Sequence, residues 1–209
     1  MDITTLFYER SEHVSYVTTD FDKKIMSWVG GNAPAFFDDK IRIINAFKVE
    51  HFFYTTFLNP FDETEQMSIF IPKDYDIYLK YCYYPTCSIK IFSHPVTKQS
   101  NSDIYTHPYI TPYSIIECPD FDDKIKHPQE YPFIKLGGNP DLLYKNSIDC
   151  EQNILSDGNI FLFQVDERGY PDHTAQGSSA AMGFAALYVY AQIQDTIQHP
   201  VVGFWQFVK

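Results

Sequence analysis

The 209 residues carry 27 acidic and 16 basic side chains, a formal net charge of −11. Only three of the basic residues are arginines, Arg10, Arg42 and Arg168. A chain so composed lacks the basic face that nucleic acid requires and the polybasic patch that anionic lipid attracts, so no nucleic-acid partner and no membrane partner is expected.

The acidity suits a protein kept soluble by charge, or one whose partner is basic. Hydrophobic residues make up 44% and aromatics 17%, enough to build a core without disulfides or metals and rich in the types that favour strands. Met1–Leu6 has neither the basic nor the apolar region of a leader, and no apolar run approaches the ~20 residues of a membrane span. Cytoplasmic residence is the expectation. Cys82, Cys87, Cys118 and Cys150 form no Cys-x-x-Cys pair, which argues for reduced, structural thiols and against zinc.

In chain order, Ser15–Ile25 has weak periodicity and its state stays open. Val29-Gly30-Gly31-Asn32-Ala33-Pro34 marks a sharp turn. Residues 50–58, aromatic and β-branched, predict a strand ended by Asn59-Pro60. Met67–Ile71 predicts a short strand stopped by Pro72. Tyr75–Tyr84, with Ile77, Leu79, Tyr81 and Tyr83 alternating, predicts a half-buried strand. Another strand is expected over Ser88–Phe92, a polar loop over Ser93–His107, a strand over Pro112–Cys118 and an acidic turn at Pro119-Asp120-Phe121-Asp122-Asp123. Leu136-Gly137-Gly138-Asn139-Pro140 forms a second glycine-pair turn. Asn159–Asp166 is the clearest strand, and Phe184–Ile193 and Val201–Val208 complete the set around a turn at His199-Pro200.

The two glycine-pair turns lie in corresponding places. Phe57 falls 26 positions after Gly31 (57 − 31) and Phe163 falls 25 after Gly138 (163 − 138). Met67–Ile71 then matches Ala185–Ile193 as the next apolar strand. The expected fold is therefore α+β: predominantly antiparallel β with a few helices, in two related halves from an internal duplication (about 1–110 and 111–209) packed as one unit over 1–209.

Lys135-Leu136-Gly137-Gly138-Asn139-Pro140-Asp141, Phe161-Leu162-Phe163-Gln164-Val165-Asp166 and Ala186-Leu187-Tyr188-Val189-Tyr190 resemble the YwqG-like family, also called DUF1963. That family shows a Gly-Gly-x-Pro turn, a strand ending in Leu-Gln-hydrophobic-Asp and a later strand, with a weaker copy of the pattern in its first half. The chain departs from it at Gln176-Gly177-Ser178-Ser179-Ala180, where the family carries Gly-Asp-x-Gly, and at Asn59, where a Gln-like residue is expected. The resemblance implies a duplicated α+β fold and supplies no activity.

Chemistry-bearing patterns are few. His94, His107, His127 and His199 each precede a proline, and none has a ligand neighbour at strand or helix spacing, so they read as turn residues rather than a metal site. Asp166-Glu167 ends the clearest strand six residues before Asp172-His173. A general acid–base pair and simple turn chemistry both fit, and the turn is favoured because no nucleophile motif accompanies it. Gln164, if inward, needs partners for its amide; a structural amide is favoured over a ligand contact. Gly177-Ser178-Ser179 is no nucleophile elbow, and no phosphate-binding glycine loop occurs.

The expected function is accordingly a protein-binding module rather than an enzyme, with no cofactor and no metal. Its sharpest form is an immunity protein that neutralises a basic bacterial toxin by occlusion, through Asp120, Asp122, Asp123, Asp166 and Glu167. The alternative is an enzyme or small-molecule binder with a site between the halves, near Gln164 and Asp166.

Overall fold

In the computed structural model, residues 1–45, 49–74, 83–121, 131–144, 148–171 and 185–207 are described. Aromatic and β-branched runs separated by glycine and proline turns produce ten strands among them: β1 (His13–Thr19), β2 (Trp28–Val29), β3 (His51–Asn59), β4 (Asp62–Pro72), β5 (Lys90–Pro95), β6 (Tyr113–Glu117), β7 (Ile134–Gly137), β8 (Ile160–Asp166), β9 (Ala185–Ile193) and β10 (Ile197–Phe207). Helices are minor: α1 (Ile41–Ile44), α2 (Ile148–Ser156) and a π-helical turn at Thr4–Tyr8.

All ten strands join one sheet in the order β10-β9-β8-β7-β1-β6-β2-β3-β4-β5, every neighbour antiparallel. Exchanging each strand of β1–β5 with the one five later turns this order into its own reverse. β1 lies beside β7 and β6 beside β2, so the strand that opens each half is inserted next to the other half. The ends of the sheet, β5 and β10, come alongside each other, and the sheet almost closes.

The ladders of the two half-sheets can be compared position by position. Thr55 lies opposite Val29 and Phe163 opposite Leu136, each partner standing just before a glycine pair. One residue before these, Tyr54 in β3 and Leu162 in β8 fall at register shifts, between Phe53 and Thr55 and between Phe161 and Phe163. By ladder position, then, Phe163 corresponds to Thr55 rather than to Phe57, and Thr56, not Asn59, holds the place of Gln164.

The main core lies on one face of the whole sheet and draws on both halves, including Val29, Phe57, Ile69, Leu136, Phe163 and Leu187. The opposite face is covered separately in each half. Phe53 and Phe70 lie under Phe37, Ile44 and Tyr105, with Phe92 packed beside them. Phe161, Tyr190 and Phe204 lie with Ile154 of α2. Ladder pairing places Phe53, Phe70 and Phe92 where Phe161, Tyr190 and Phe204 stand. Burying rings of this size supplies much of the driving force in each half.

Several expectations shift at element ends. The open segment Ser15–Ile25 contributes to β1. β4 starts at Asp62, well before Met67, because Asp62 and Thr64 form a side-chain-stabilised turn. The polar stretch Ser93–His107 is partly strand, through Pro95, and buries Tyr105 and Ser100 against one half. β10 starts at Ile197 and runs through His199-Pro200 instead of beginning after a turn there, absorbing them in a register shift with His199 at φ 49°. Of the strand expected at Tyr75–Tyr84, residues 75–82 lie outside the described residues; Tyr83 bridges to Phe204.

Both glycine pairs are in the left-handed region, Gly30 and Gly31 at φ 69° and 66°, Gly137 and Gly138 at 75° and 66°. A Cβ on Gly137 would stand 3.0 Å from the Leu6 carbonyl oxygen, and one on Gly30 3.0 Å from that of Thr111. Each pair therefore serves both purposes of glycine, positive φ and close backbone approach.

Candidate functional site

Three places gather polar or accessible groups. The first is the end of β8. Asp166 and Glu167 are 2% and 1% exposed. Asp166 caps a 3₁₀ turn over Glu167–Gly169, its Oδ1 accepting from the Arg168 backbone N–H at 2.9 Å. Its carboxylate also receives Arg168 Nε, at 2.9 and 3.1 Å to the two oxygens, and the guanidinium lies 3.9 Å from the Tyr131 ring. This is turn chemistry reinforced by a fork-shaped ion pair.

Glu167 turns inward. Its Oε2 accepts from the Ala185 N–H at 2.9 Å, and its Oε1 lies 3.4 Å from the hydroxyls of both Tyr54 and Tyr170. Burial first, and the neighbouring carboxylate after it, push the Tyr54 phenol well up; for Tyr170 burial comes first and Tyr54 next. Both phenols therefore stay protonated and able to donate. A partner docking on the surface reaches neither carboxylate as folded, because both are enclosed and engaged within the chain.

Of the other named residues, Asp120 is exposed in a turn after β6. Asp122, Asp123, Asp172, His173, His127 and the Gly177–Ala180 run lie outside the described residues. Gln164 is 2% exposed, and its Oε1 accepts from the Asp141 N–H at 2.7 Å, which is the structural amide favoured above.

The second place is a pair of polar networks on the outer faces. In the first half, Ser68 Oγ lies 2.9 Å from Thr56 Oγ1 and 2.7 Å from His94 Nε2. His94 Nδ1 lies 2.8 Å from the Pro95 carbonyl. A carbonyl only accepts, so the Nδ1 carries the proton and Nε2 accepts from Ser68. The ring stacks on Phe36 at 4.8 Å and meets the Phe37 edge at 4.7 Å. Burial pushes its pKa down, which keeps it neutral.

A serine and a histidine at this distance resemble a nucleophile and its base, yet both are enclosed, at 0% and 2% exposure, and the Phe rings occupy the space a substrate would need. With Thr56, the pair holds three strands, β3, β4 and β5, together. In the second half, Gln164, Tyr188 and Gln206 occupy the ladder positions of Thr56, Ser68 and His94. Tyr188 donates to Gln206 Oε1 at 3.0 Å, and Gln206 also receives the Leu143 N–H at 2.8 Å. His94 is thus a core histidine within a strand rather than a turn residue. Among the described residues no group of three or more potential ligands could hold a metal ion.

The third place was not foreseen. Where β5 and β10 come alongside each other, a groove of about 340 Å³ opens, lined by Ile43, Cys87, Ile89, Lys90, Val201 and Val202 among others. Tyr84 flanks it, its N–H donating to Gly203 at 2.7 Å and its hydroxyl to Asp157 at 2.9 Å. The groove lies between the halves, but at the opposite margin of β10 from β8, away from Gln164 and Asp166. The available signal was Lys90, a cation in the otherwise apolar segment Ile89–Phe92.

No helix among the described residues is long and apolar enough to cross a membrane. Comparisons with family models, with curated proteins and with solved structures find no match.

Proposed function

We propose that this chain is a protein-binding module whose partner is a basic protein. The observation that carries this reading is an uncompensated acidic surface. Asp20, Asp22, Asp38, Asp39, Glu117 and Asp120 are all exposed, and among the described residues only Asp39 of these six has a cation within ion-pair distance, Lys40 at 2.6 Å. Unpaired carboxylates speed encounter with a basic partner and lose that advantage as salt rises. The most specific form of the reading is an immunity protein that occludes a basic toxin in the cytoplasm, a role that needs no catalytic residue.

The same reading takes the two half-sheets as copies of one duplicated unit of the YwqG-like kind. Its supports are the self-reversing strand order, the paired register shifts and the two glycine-pair turns.

The test is affinity capture from the native host's lysate at low and moderate salt, followed by titration of the purified captured protein. One stoichiometric basic protein, bound at low salt and weakened at least tenfold by Glu117→Lys with Asp120→Lys, supports the proposal. No retained protein at either salt defeats it.

A second reading, a small-molecule binder, rests on the groove between β5 and β10, whose volume is at the small end of ligand pockets.

A further inference from the structure

The side chains lining the β5/β10 groove carry one charge, that of Lys90, and polar and apolar atoms share the groove surface about equally. Lys90, half-buried, sends its Nζ to the carbonyls of Ile43 at 3.2 Å and Ile44 at 2.6 Å, at the end of α1. An ammonium has three N–H donors, and these two bonds leave one.

The other partly buried lysines among the described residues, Lys40, Lys73 and Lys135, each hold a carboxylate, at 2.6, 3.0 and 2.8 Å. Lys90 holds none among the described residues, in a chain with an excess of acids. Burial also pushes its pKa down with no opposing carboxylate. A cation drawn partly out of water beside the aliphatic side chains of Ile89, Val201 and Val202 is favourably matched by an anion with an apolar body.

We propose that the groove binds a small monocarboxylic acid with an aliphatic body. The carboxylate pairs with Lys90 Nζ at the mouth, and the body lies along Ile89, Val201 and Val202. This rests on the small-molecule reading of the same groove and names its ligand class.

The experiment compares octanoate with octan-1-ol, below their aggregation limits, by calorimetric titration. It also follows protection of Cys87, which lines the groove, from alkylation, by mass spectrometry of its peptide. Octanoate is expected to bind at least tenfold more tightly than octan-1-ol and to slow Cys87 alkylation. Lys90→Met should abolish that preference. Because Lys90 also holds the end of α1, Ile43→Asp provides a second variant. Ile43 is 56% exposed, so the substitution is tolerated, and the new carboxylate should weaken octanoate about tenfold while sparing octan-1-ol. Equal binding of acid and alcohol to the unsubstituted protein overturns the carboxylate assignment and leaves the small-molecule reading standing. Binding of neither, with Cys87 alkylation unchanged, overturns both.

Discussion

Phe57 and Phe163 meet edge to face, ring centroids 4.8 Å apart and planes at 85°, in the interior that both halves share. They come from β3 and β8, on opposite sides of the central β1–β6 pair, and both are at most 1% exposed. The contact is a direct coupling between the halves. Phe57→Ala and Phe163→Ala should each cost about 3–5 kcal/mol in urea unfolding. The double variant should cost about 1 kcal/mol less than the sum. Full additivity would mean that the two rings do not interact across the interior.

The glycine pairs allow conformational strain to be separated from crowding. Gly158 also has positive φ, 79°, but nothing lies within 4 Å of a Cβ built there. Gly158→Ala should cost only about 1 kcal/mol, the left-handed penalty alone. Gly137→Ala adds contacts at 3.0 Å with the Leu6 backbone and side chain and should cost at least twice as much. Equal losses for the two variants would show that the Leu6 turn yields freely.

The His94 network predicts a graded response. His94→Ala leaves Ser68 short of a buried partner and opens space against Phe36 and Phe37, for a loss of about 3 kcal/mol. His94→Gln should recover part of this, because Gln206 fills the equivalent ladder position in the second half. Thermal unfolding of the two variants side by side decides it, and a glutamine variant no better than alanine would count against the equivalence of the two networks.

Acid should destabilise the fold before the carboxylates titrate. Burial holds the His51 and His94 imidazoles below their ordinary value and pushes that of His107 down to about 4. An unfolded histidine titrates near ~6.5. Above that pH both states hold neutral rings and the linkage is silent. As pH falls through ~6.5 the unfolded chain takes up protons that the folded chain refuses, so stability drops, for His107 down to about pH 4. Urea midpoints should therefore fall between pH 7.5 and 5.5, and His107→Gln should flatten part of the slope. A constant midpoint over that range would contradict the buried, neutral rings.

Removing Asp166 should be costly. Asp166→Ala strands Arg168 and uncaps the 3₁₀ turn that delivers Glu167 to the interior, for a loss of about 3 kcal/mol. Asp166→Asn keeps the Oδ1 cap to the Arg168 N–H and should lose less. Unfolding midpoints of the two variants test this, and similar losses would assign the whole effect to the ion pair.

What the sequence determined by itself was local. The aromatic and β-branched density of 50–58 and 159–166 is a property of contiguous residues, and both segments are strands within a residue or so of their expected ends. The glycine pairs stood out because no other residue accepts positive φ so readily. Asp-Glu-Arg-Gly likewise announced its turn.

What only the tertiary structure decided were relations between residues far apart in the chain. That β1 pairs with β7 and β6 with β2 is invisible locally, since each pairing joins residues far apart in the chain. Ladder pairing sets Phe163 at the position that Thr55 holds, two residues from the Phe57 that sequence offsets indicated. Burial of Asp166, Glu167 and Gln164 depends on what packs over the end of β8, and carboxylates next to a turn read as exposed until that packing is known. The groove owes its existence to the approach of β5 and β10, whose sequences begin more than a hundred residues apart, and Lys90 takes on meaning only because that approach sets it in one groove with Val201 and Val202.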